Sequence, residues 1–574
     1  MKNQLIKKII FPLFLIFIFI VAIGIWSTPI LFKGYPVSLR SVEIVLARNL
    51  AQSSVYGSEN DLNVVVAPEL VKTEAHYSSQ GNKFSPIFWS MIFKALGHQD
   101  WNHLIIISLI INALSLIFFT LTIRFLFGMK TAMFFPFIYI LLPSIWQTAA
   151  VSLGVYEFSL LFFSLFTLFY FWGGKQKFSY FYLVLSGIFM IFSCLAKEVM
   201  FLFVPVFFFW LLFYKKKKEL LAVFIPFFVL LAIFWLPTML GFKGQNHYRN
   251  FFVVNSAQED SYADYHSFGE FCRDPYTFHF EREATKIKFE QKIKQTENEG
   301  GWLYLGALAK TGANNAIRNI SFSERLSEGM VLLLKHLLRY LSLEDIGGPF
   351  IFLLMIIGWW QLKKKDVKLH YLLGVWLVAV PFLLAFVALA SRNHLVDFGF
   401  AIAGLVSLGL IGIWQTTKDS YSSGKYAKIF FILVILLTLY ALFLAGRTFW
   451  GRAYDSSNTL EIQYLAKKTN EIPNISPREV IAGGCACFQP TLNYLTNKSV
   501  VFFHPDTIRE LVEKRKLQAA FDKFGVKYFI GYDSQISKLI AENSNAKNIA
   551  AWPEKKEVNL PTSYNKSWLL NLIR

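Results

Sequence analysis

Long apolar blocks, separated by short polar segments, run along the chain from its start to about residue 450. A helix needs about 20 apolar residues to cross a bilayer core, and about eleven blocks approach that length. The blocks are Ile9–Trp26, Leu104–Ile123, Ala132–Trp146, Phe158–Trp172, Phe178–Leu195, Val199–Tyr214, Leu220–Leu240, Phe350–Leu362, Tyr371–Leu389, Phe398–Trp414 and Ile429–Ala445. Because a helix satisfies its backbone hydrogen bonds within one segment, the pattern predicts an α-helical polytopic membrane domain over residues 1–450.

The composition agrees with this prediction. The chain has 574 residues, of which 55% are hydrophobic and 17% are charged, and Phe alone occurs 60 times. A soluble chain carries about 25% charged residues. The formal net charge is +19, which in a soluble protein would suggest nucleic acid. The placement of the basic residues therefore decides what that charge means.

Basic residues are concentrated in alternate connections between the apolar blocks. They are Lys2, Lys7, Lys8, Arg124, Lys130, Lys175, Lys177, Lys215–Lys218, Lys363–Lys365, Lys368, Lys418, Lys425 and Lys428. Short loops rich in Lys and Arg stay in the cytosol. The sequence thus predicts a cytosolic N-terminus, with outer loops at 32–102 and 241–348 and an outer C-terminal region. The lysines are expected to face anionic lipid, and no nucleic-acid partner is expected.

Residues 451–574 have the pattern of a small soluble α/β domain outside the membrane. Segments 479–482, 499–503 and 526–530 have the composition of buried strands, and helical patterns such as 507–521 lie between them. This alternation predicts a three- or four-stranded sheet, with Asp506 as the cap of that helix. The region has neither a phosphate loop nor a dinucleotide fingerprint. Packing over the membrane domain is its expected role.

The cysteines leave two interpretations open. Cys194 falls in a predicted span, whereas Cys272, Cys485 and Cys487 fall on the outer side, where a disulfide and unpaired thiols are both compatible with the sequence. No metal ligands are predicted, because no residues have the spacing of a metal site. No cofactor is therefore assigned, and a divalent metal stays open.

Several short motifs follow one another in the first two hundred residues. They are Ser38–Leu50, Lys83-Phe84-Ser85-Pro86, Phe93–Gly97, Arg124–Gly128, Glu157 after Gly154-Val155-Tyr156, and Ala196-Lys197-Glu198. In order and spacing they resemble the GT-C membrane glycosyltransferases, in particular the protein O-mannosyltransferase and aminoarabinose transferase branch. The rest of the chain resembles that family in architecture.

The resemblance implies inverting transfer of a sugar from a polyprenyl-phosphate donor to an acceptor on a protein, lipid or glycan, at the outer face of the membrane. Such an attack needs a carboxylate base, and the leaving phosphate needs a cation. The Phe-, Ile- and Lys-rich usage, without a eukaryotic targeting signal, favours a bacterial inner membrane.

The family's acidic pair falls at Leu39 and Arg40, and neither residue is acidic. Glu43 is the nearest carboxylate, about one helical turn later. The candidate catalytic residues and then the candidate phosphate-binding residues are Glu43 and Glu157, and Lys83, Lys197, Arg392 and His394. Each also has an ordinary structural role open to it, as a solvated helix residue, an interfacial cation or a charge at the end of a span.

Three other classes of membrane protein share parts of this pattern. A transporter would show internal repeats and broken spans at mid-membrane, and few such features are visible. An O-antigen polymerase or ligase also has many spans and a large outer loop. A non-catalytic relative of the GT-C family would explain the absent acidic pair at Leu39 and Arg40. The last two stay open as alternatives to a glycosyltransferase.

Overall fold

The structure, a computed structural model, covers most of the helical part of the chain and the body of the C-terminal region. It describes residues 2–33, 44, 47–48, 50–51, 84–97, 101–151, 156–173, 176, 179–214, 216–240, 330, 333–334, 337–338, 340–342, 346–387, 398–420, 424–455, 459–472, 480–484, 489–496, 498–503 and 505–552.

Helices make up the membrane part of the molecule. They are α1 Lys2–Lys33, α2 Phe84–Leu96, α3 Trp101–Phe127, α4 Met129–Leu141, α5 Pro143–Val151, α6 Tyr156–Leu168, α7 Ser179–Ala196, α8 Phe203–Phe213, α9 Lys217–Leu240, α10 Pro349–Lys365, α11 Val367–Val387, α12 Gly399–Ser420 and α13 Gly424–Asp455. A π-helical turn, Phe169–Gly173, extends α6, and a 3-10 turn, Glu198–Leu202, leads into α8.

Each predicted apolar block coincides with one helix or with two joined pieces, so the helical membrane fold is confirmed. Within the described part of the chain, six segments are long and apolar enough to cross a membrane. They are Ile9–Thr28, His103–Phe127, Tyr156–Gly173, Ser179–Ala196, Gly399–Asp419 and Lys425–Arg447. Shorter apolar helices account for other blocks, among them Met129–Leu141 and Val199–Phe213.

The third block was expected to be one span, Ala132–Trp146, and this prediction is wrong. The structure divides it at Leu142, whose ψ of 125° is extended rather than helical. The cause is Pro143, since a proline disfavours the helical conformation in the residue before it. The chain resumes as α5, whose Trp146 packs against Gly446 of α13.

Two glycines let α10 and α12 approach closely. A methyl group on Gly358 of α10 would lie 1.8 Å from the carbonyl oxygen of Leu405, and one on Gly409 of α12 would lie 2.1 Å from the carbonyl oxygen of Leu354. Small residues at such positions allow helix backbones to touch in a membrane protein.

Several of the basic turns meet at one end of the bundle, called here the lysine end. The Trp210 indole N–H donates to the carbonyl oxygen of Lys368 at 2.7 Å, and the Lys368 ammonium lies 5.2 Å from the ring of Tyr214. Lys216 pairs with Glu219 at 2.9 Å. Tyr170, in the turn that ends α6, donates its hydroxyl hydrogen to Glu219 at the lysine end, so α6 begins at the opposite end, called here the domain end.

The C-terminal domain contains a four-stranded parallel sheet of order β2-β1-β3-β4. Its elements in chain order are α14 Thr459–Asn470, β1 Val480–Gly483, α15 Gln489–Thr496, β2 Ser499–Phe502, α16 Pro505–Glu513, α17 Leu517–Phe524, β3 Val526–Ile530, α18 Ser534–Asn543 and β4 Lys547–Ala550. The predicted α/β alternation is confirmed, with β4 as an additional strand.

The expected single helix over 507–521 is in fact two helices. Arg515 adopts a φ of 53°, which separates α16 from α17. Asp506 also differs from expectation, because α16 begins at Pro505 and so Asp506 lies inside its first turn rather than at its cap. Proline is favoured at the first helical position, where its missing N–H leaves no helical hydrogen bond unmade.

Candidate functional site

A buried carboxylate lies at the domain end of the bundle. Glu157, in the first turn of α6, has no exposed surface. The Ser108 hydroxyl of the neighbouring helix α3 donates to its Oε1 at 2.7 Å. Burying a carboxylate among membrane helices costs free energy, which this hydrogen bond and the positive end of the α6 dipole partly offset. Such a group is therefore a candidate functional residue.

Lys197 is brought to the same region by a break in the helical path. α7 ends at Ala196, and Lys197 adopts an extended backbone (φ −151°, ψ 114°) before the 3-10 turn begins. Its Nζ lies 5.0 Å from the centroid of the Tyr156 ring. Because Tyr156 immediately precedes Glu157, Lys197 lies beside the first turn of α6, which carries the carboxylate.

A pair of buried serines fixes α6 against α7 just below this level. The Ser193 hydroxyl donates to the carbonyl oxygen of Ser159 at 2.9 Å, and the Ser159 hydroxyl donates to the carbonyl oxygen of Ser193 at 3.3 Å. Interhelical hydrogen bonds of this kind stabilise helix pairs in lipid by about 0.6 kcal/mol each. They hold the start of α6 and the end of α7, and hence Glu157 and Lys197, in register.

Helix α2 is held next to α6 and α7 by aromatic packing. The Phe88 ring lies 4.8 Å from the Phe162 ring and 5.2 Å from the Phe158 ring, while the Phe84 ring stacks on Phe192 at 6.3 Å. Aromatic pairs at these distances are favourable beyond their buried area. Since α2 begins at Phe84, this packing anchors the element that directly follows Lys83 in the chain.

A second polar side chain lies deeper on the same helix as Ser108. Asn112, four residues further along α3, is 3% exposed. Its Nδ2 has no hydrogen-bond partner among the residues that the structure covers. Residues four apart share a helix face. The polar surface that begins at Ser108 thus continues one turn into the bundle and has a donor available there.

Arg48, which lies between α1 and α2 in the chain, contacts the C-terminal domain. It is buried, its Nη2 donates to Oδ1 of Asn493 at 2.9 Å, and its Nη1 donates to the carbonyl oxygen of Asn493 at 3.4 Å. The guanidinium also lies 5.6 Å from the Tyr494 ring. Burial lowers the pKa of Arg48 from its ordinary value, since desolvation penalises the charged form.

The remaining predicted site residues, Glu43, Lys83, Arg392 and His394, lie outside the described residues, as do Cys272, Cys485 and Cys487. Of the predicted set, the structure therefore brings together Glu157 and Lys197. Sequence reasoning did not assign a site role to Ser108, Tyr156, Arg48 or Asn493. Arg48 did lie in a motif, whereas a serine in an apolar block carries almost no signal.

The described part of the chain contains no group of three or more His, Cys, Asp or Glu residues able to hold a metal ion. The cluster at the domain end has one carboxylate, hydroxyl and amide groups, and one lysine. It has the groups to accept a proton and to meet an anion. The divalent metal that the sequence left open finds no ligand set within those residues.

No protein-family model and no curated protein matches this sequence. Among solved structures, this chain is similar to the oligosaccharyltransferase AglB of Archaeoglobus fulgidus in complex with an inhibitory peptide and a dolichol-phosphate. The match covers 91% of this chain and 69% of the AglB chain, with a TM-score of 0.52 and 12% identity. The apo form of the Archaeoglobus fulgidus oligosaccharyltransferase covers 90% and 69%, with a TM-score of 0.55 and 12% identity.

ArnT from Cupriavidus metallidurans bound to undecaprenyl phosphate covers 93% of this chain and 89% of its own at 11% identity. Its TM-score of 0.34 is too low to argue from. The oligosaccharyltransferase matches extend over the membrane helices and most of the rest of the chain. The chain therefore shares its fold with the oligosaccharyltransferase of Archaeoglobus fulgidus.

Proposed function

We propose that this protein transfers a sugar from a polyprenyl-phosphate donor to an acceptor on a protein, lipid or glycan, with inversion at the anomeric carbon. The observation that carries the proposal is Glu157, a fully buried carboxylate that accepts a hydrogen bond from Ser108 beside Lys197, in a chain with the GT-C fold. A carboxylate kept inside a membrane bundle is usually retained for function.

The reaction requires one proton transfer and one exchange of bonds. The acceptor hydroxyl attacks the anomeric carbon, and a new carbon–oxygen bond forms as the bond from that carbon to the phosphate oxygen breaks. The hydroxyl proton passes to a carboxylate, either Glu43 or Glu157. The polyprenyl phosphate leaves with the bonding electron pair, and its negative charge is met by Lys197 together with Lys83, Arg392 and His394.

The fold supports a lipid-linked donor. The oligosaccharyltransferase AglB that this chain resembles was solved with a dolichol-phosphate, and an oligosaccharyltransferase structure of the same organism was tethered to an acceptor peptide. A donor anchored by its tail keeps its phosphate at the membrane surface, where Glu157 and Lys197 lie if the domain end faces that surface.

The orientation forms part of the same proposal. Several basic turns gather at the lysine end, and basic turns stay in the cytosol. We therefore infer a cytosolic N-terminus and a C-terminal domain outside the cytosol, in the inner membrane of a bacterium. Cysteine accessibility to a membrane-impermeant thiol reagent, from single cysteines placed at Lys418 and at Lys547, tests the sidedness directly.

The proposed activity is tested with purified protein in lipid vesicles and a panel of labelled polyprenyl-phosphate sugars. We expect the wild type to transfer one of them, and the variant of the catalytic base, Glu43→Gln or Glu157→Gln, to lose about a hundredfold or more in kcat. Glu471→Gln is the matched control, because it also neutralises one carboxylate, but on the surface of the C-terminal domain. A kcat equal to that of the wild type in both Glu43→Gln and Glu157→Gln would exclude both carboxylates as the base.

One observation favours a different function. The positions of the family's acidic pair hold Leu39 and Arg40, which would suit a non-catalytic relative that binds a lipid-linked sugar. An O-antigen polymerase or ligase is the other alternative. Binding of a labelled polyprenyl-phosphate sugar without transfer to any acceptor would favour the first, and joining of lipid-linked glycans to one another would favour the second.

A further inference from the structure

We propose that Arg48 is a positioning residue through which the C-terminal domain holds the described residues of the segment 44–51 in their working arrangement. The inference rests on the proposed glycosyl transfer, and it gives the C-terminal domain a part in it. Sequence reasoning assigned that domain only a packing role. In this proposal its helix α15 sets the position of the segment that directly follows Glu43 in the chain.

The contact is well buried on both sides. Arg48 and Asn493 are 6% and 8% exposed, and two nitrogens of the guanidinium reach two oxygens of one residue. The Tyr494 ring lies beside the same guanidinium and also 6.3 Å from the Phe93 ring of α2. The short helix α15 of the domain thus contacts both the segment that carries Arg48 and helix α2.

Helix α15 is itself anchored in two cores. Leu492 packs with Ile481, Val500 and Ile530 in the core of the C-terminal domain. Two residues later, Tyr494 belongs to the core of the membrane helices. The helix therefore links the sheet to the bundle, and a displacement of the domain would be transmitted to Arg48.

The segment that carries Arg48 has one buried helical face. Four of its five described residues, Ile44, Ala47, Arg48 and Ala51, follow the spacing of one side of a helix, and Ile44 and Ala47 have no exposed surface. The apolar contacts of Ile44 and Ala47 have no fixed direction and so do not fix the orientation of the segment well. Two hydrogen bonds from the planar guanidinium of Arg48 do fix it. Glu43 directly precedes Ile44, so the orientation fixed at Arg48 bears on this candidate base.

The experiment compares Arg48→Met, Arg48→Lys and Asn493→Ala in the full-length protein in lipid vesicles. Asn470→Ala is the control, because its exposed side chain also donates to a carbonyl oxygen of α15, that of Leu495, at 3.3 Å. With the donor that the wild type uses, kcat should fall about ten- to a hundredfold in Arg48→Met and in Asn493→Ala, the range that displacements of about 1 Å produce.

Three details separate positioning from direct contact with substrate. The KM for the donor should stay within about twofold of the wild-type value. The double variant of Arg48→Met and Asn493→Ala should be no slower than the slower of the two single variants, and Arg48→Lys should recover part of the rate that Arg48→Met loses. An unchanged kcat in Asn493→Ala, or a raised KM at unchanged kcat in Arg48→Met, would overturn the proposal.

Hydrogen exchange gives a readout that does not depend on transfer. Asn493→Ala should raise amide exchange in residues 44–51 by about tenfold, and Asn470→Ala should leave it unchanged. If the wild type transfers no sugar at all, the proposed function fails, and exchange alone decides the coupling. Unchanged exchange in Asn493→Ala would then refute the link between the domain and the loop.

Discussion

The close approach of α10 and α12 allows one stability prediction to be worked out from the structure. A Cβ on Gly358 would lie 1.8 Å from the carbonyl oxygen of Leu405 and 2.9 Å from the backbone nitrogen of Gly409. Ordinary contact begins at 3.4 Å, which is about 1.6 Å further out than the oxygen and about 0.5 Å further out than the nitrogen. Since both obstacles are backbone atoms, the helices have to separate, and such overpacking costs about 1–3 kcal/mol.

Gly358→Ala is therefore expected to lower the unfolding temperature of the detergent-solubilised protein, measured by the loss of the monodisperse peak after heating. Gly24→Ala is the matched control, because nothing lies within 4 Å of its added methyl group on α1. There the change should be neutral or stabilising by about 0.5–1 kcal/mol, owing to the better helix propensity of Ala. Equal stability of the two variants would refute the close packing of α10 on α12.

Three further predictions concern single side chains. Tyr532 is buried, and its hydroxyl donates to the carbonyl oxygen of Phe503 at 3.0 Å. Burial raises the pKa of Tyr532 well above its ordinary value. The contribution of Tyr532 to stability is therefore complete below about pH 10 and is lost as the pH rises further. Proteolysis of the full chain at increasing alkaline pH should show this loss of stability, and the loss should be smaller in Tyr532→Phe. Asn112→Leu should leave the unfolding temperature unchanged or raise it, yet lower transfer about tenfold or more if the amide meets substrate or water; unchanged transfer would make the residue purely structural. Asp533 accepts a hydrogen bond from the Ile536 N–H at 2.8 Å as the cap of α18, so Asp533→Ala should destabilise the domain by about 0.5–2 kcal/mol in denaturant titration, whereas an unaffected midpoint would contradict that role.

The membrane helices were predictable because a bilayer imposes a minimum length on each apolar segment that crosses it, and apolar segments of that length are visible in a single sequence. The errors fall where local backbone chemistry acts against the apolar pattern, as at Pro143 and at Arg515. β4, Lys547–Ala550, was missed for a related reason. As an edge strand whose side chains are half-buried or exposed, it lacks the apolar run that marks the buried strands β1 and β3.

The candidate site was predictable only in part, because its contacts join residues far apart in the chain. Ser108 and Glu157 are 49 positions apart, and Arg48 and Asn493 are 445 apart. Periodicity reports on neighbours within a few turns and holds no information about such pairs. The motifs singled out Glu157 and Lys197 as candidates, since a charge between apolar blocks stands out in composition.

The burial of Glu157 bears on which carboxylate takes the acceptor's proton. A base has to come within hydrogen-bond reach of the acceptor hydroxyl, and Glu157 has no exposed surface and already receives the Ser108 hydroxyl. In the proposed transfer, an acceptor on a protein or glycan arrives from the aqueous side, and for this reason we propose Glu43 as its base. Glu157 then has an electrostatic role near Lys197, whose Nζ lies 5.0 Å from the centroid of the adjacent Tyr156 ring. The proposed coupling at Arg48 then acts next to the proposed base, because the described residues that share the segment of Arg48 begin at Ile44, directly after Glu43 in the chain.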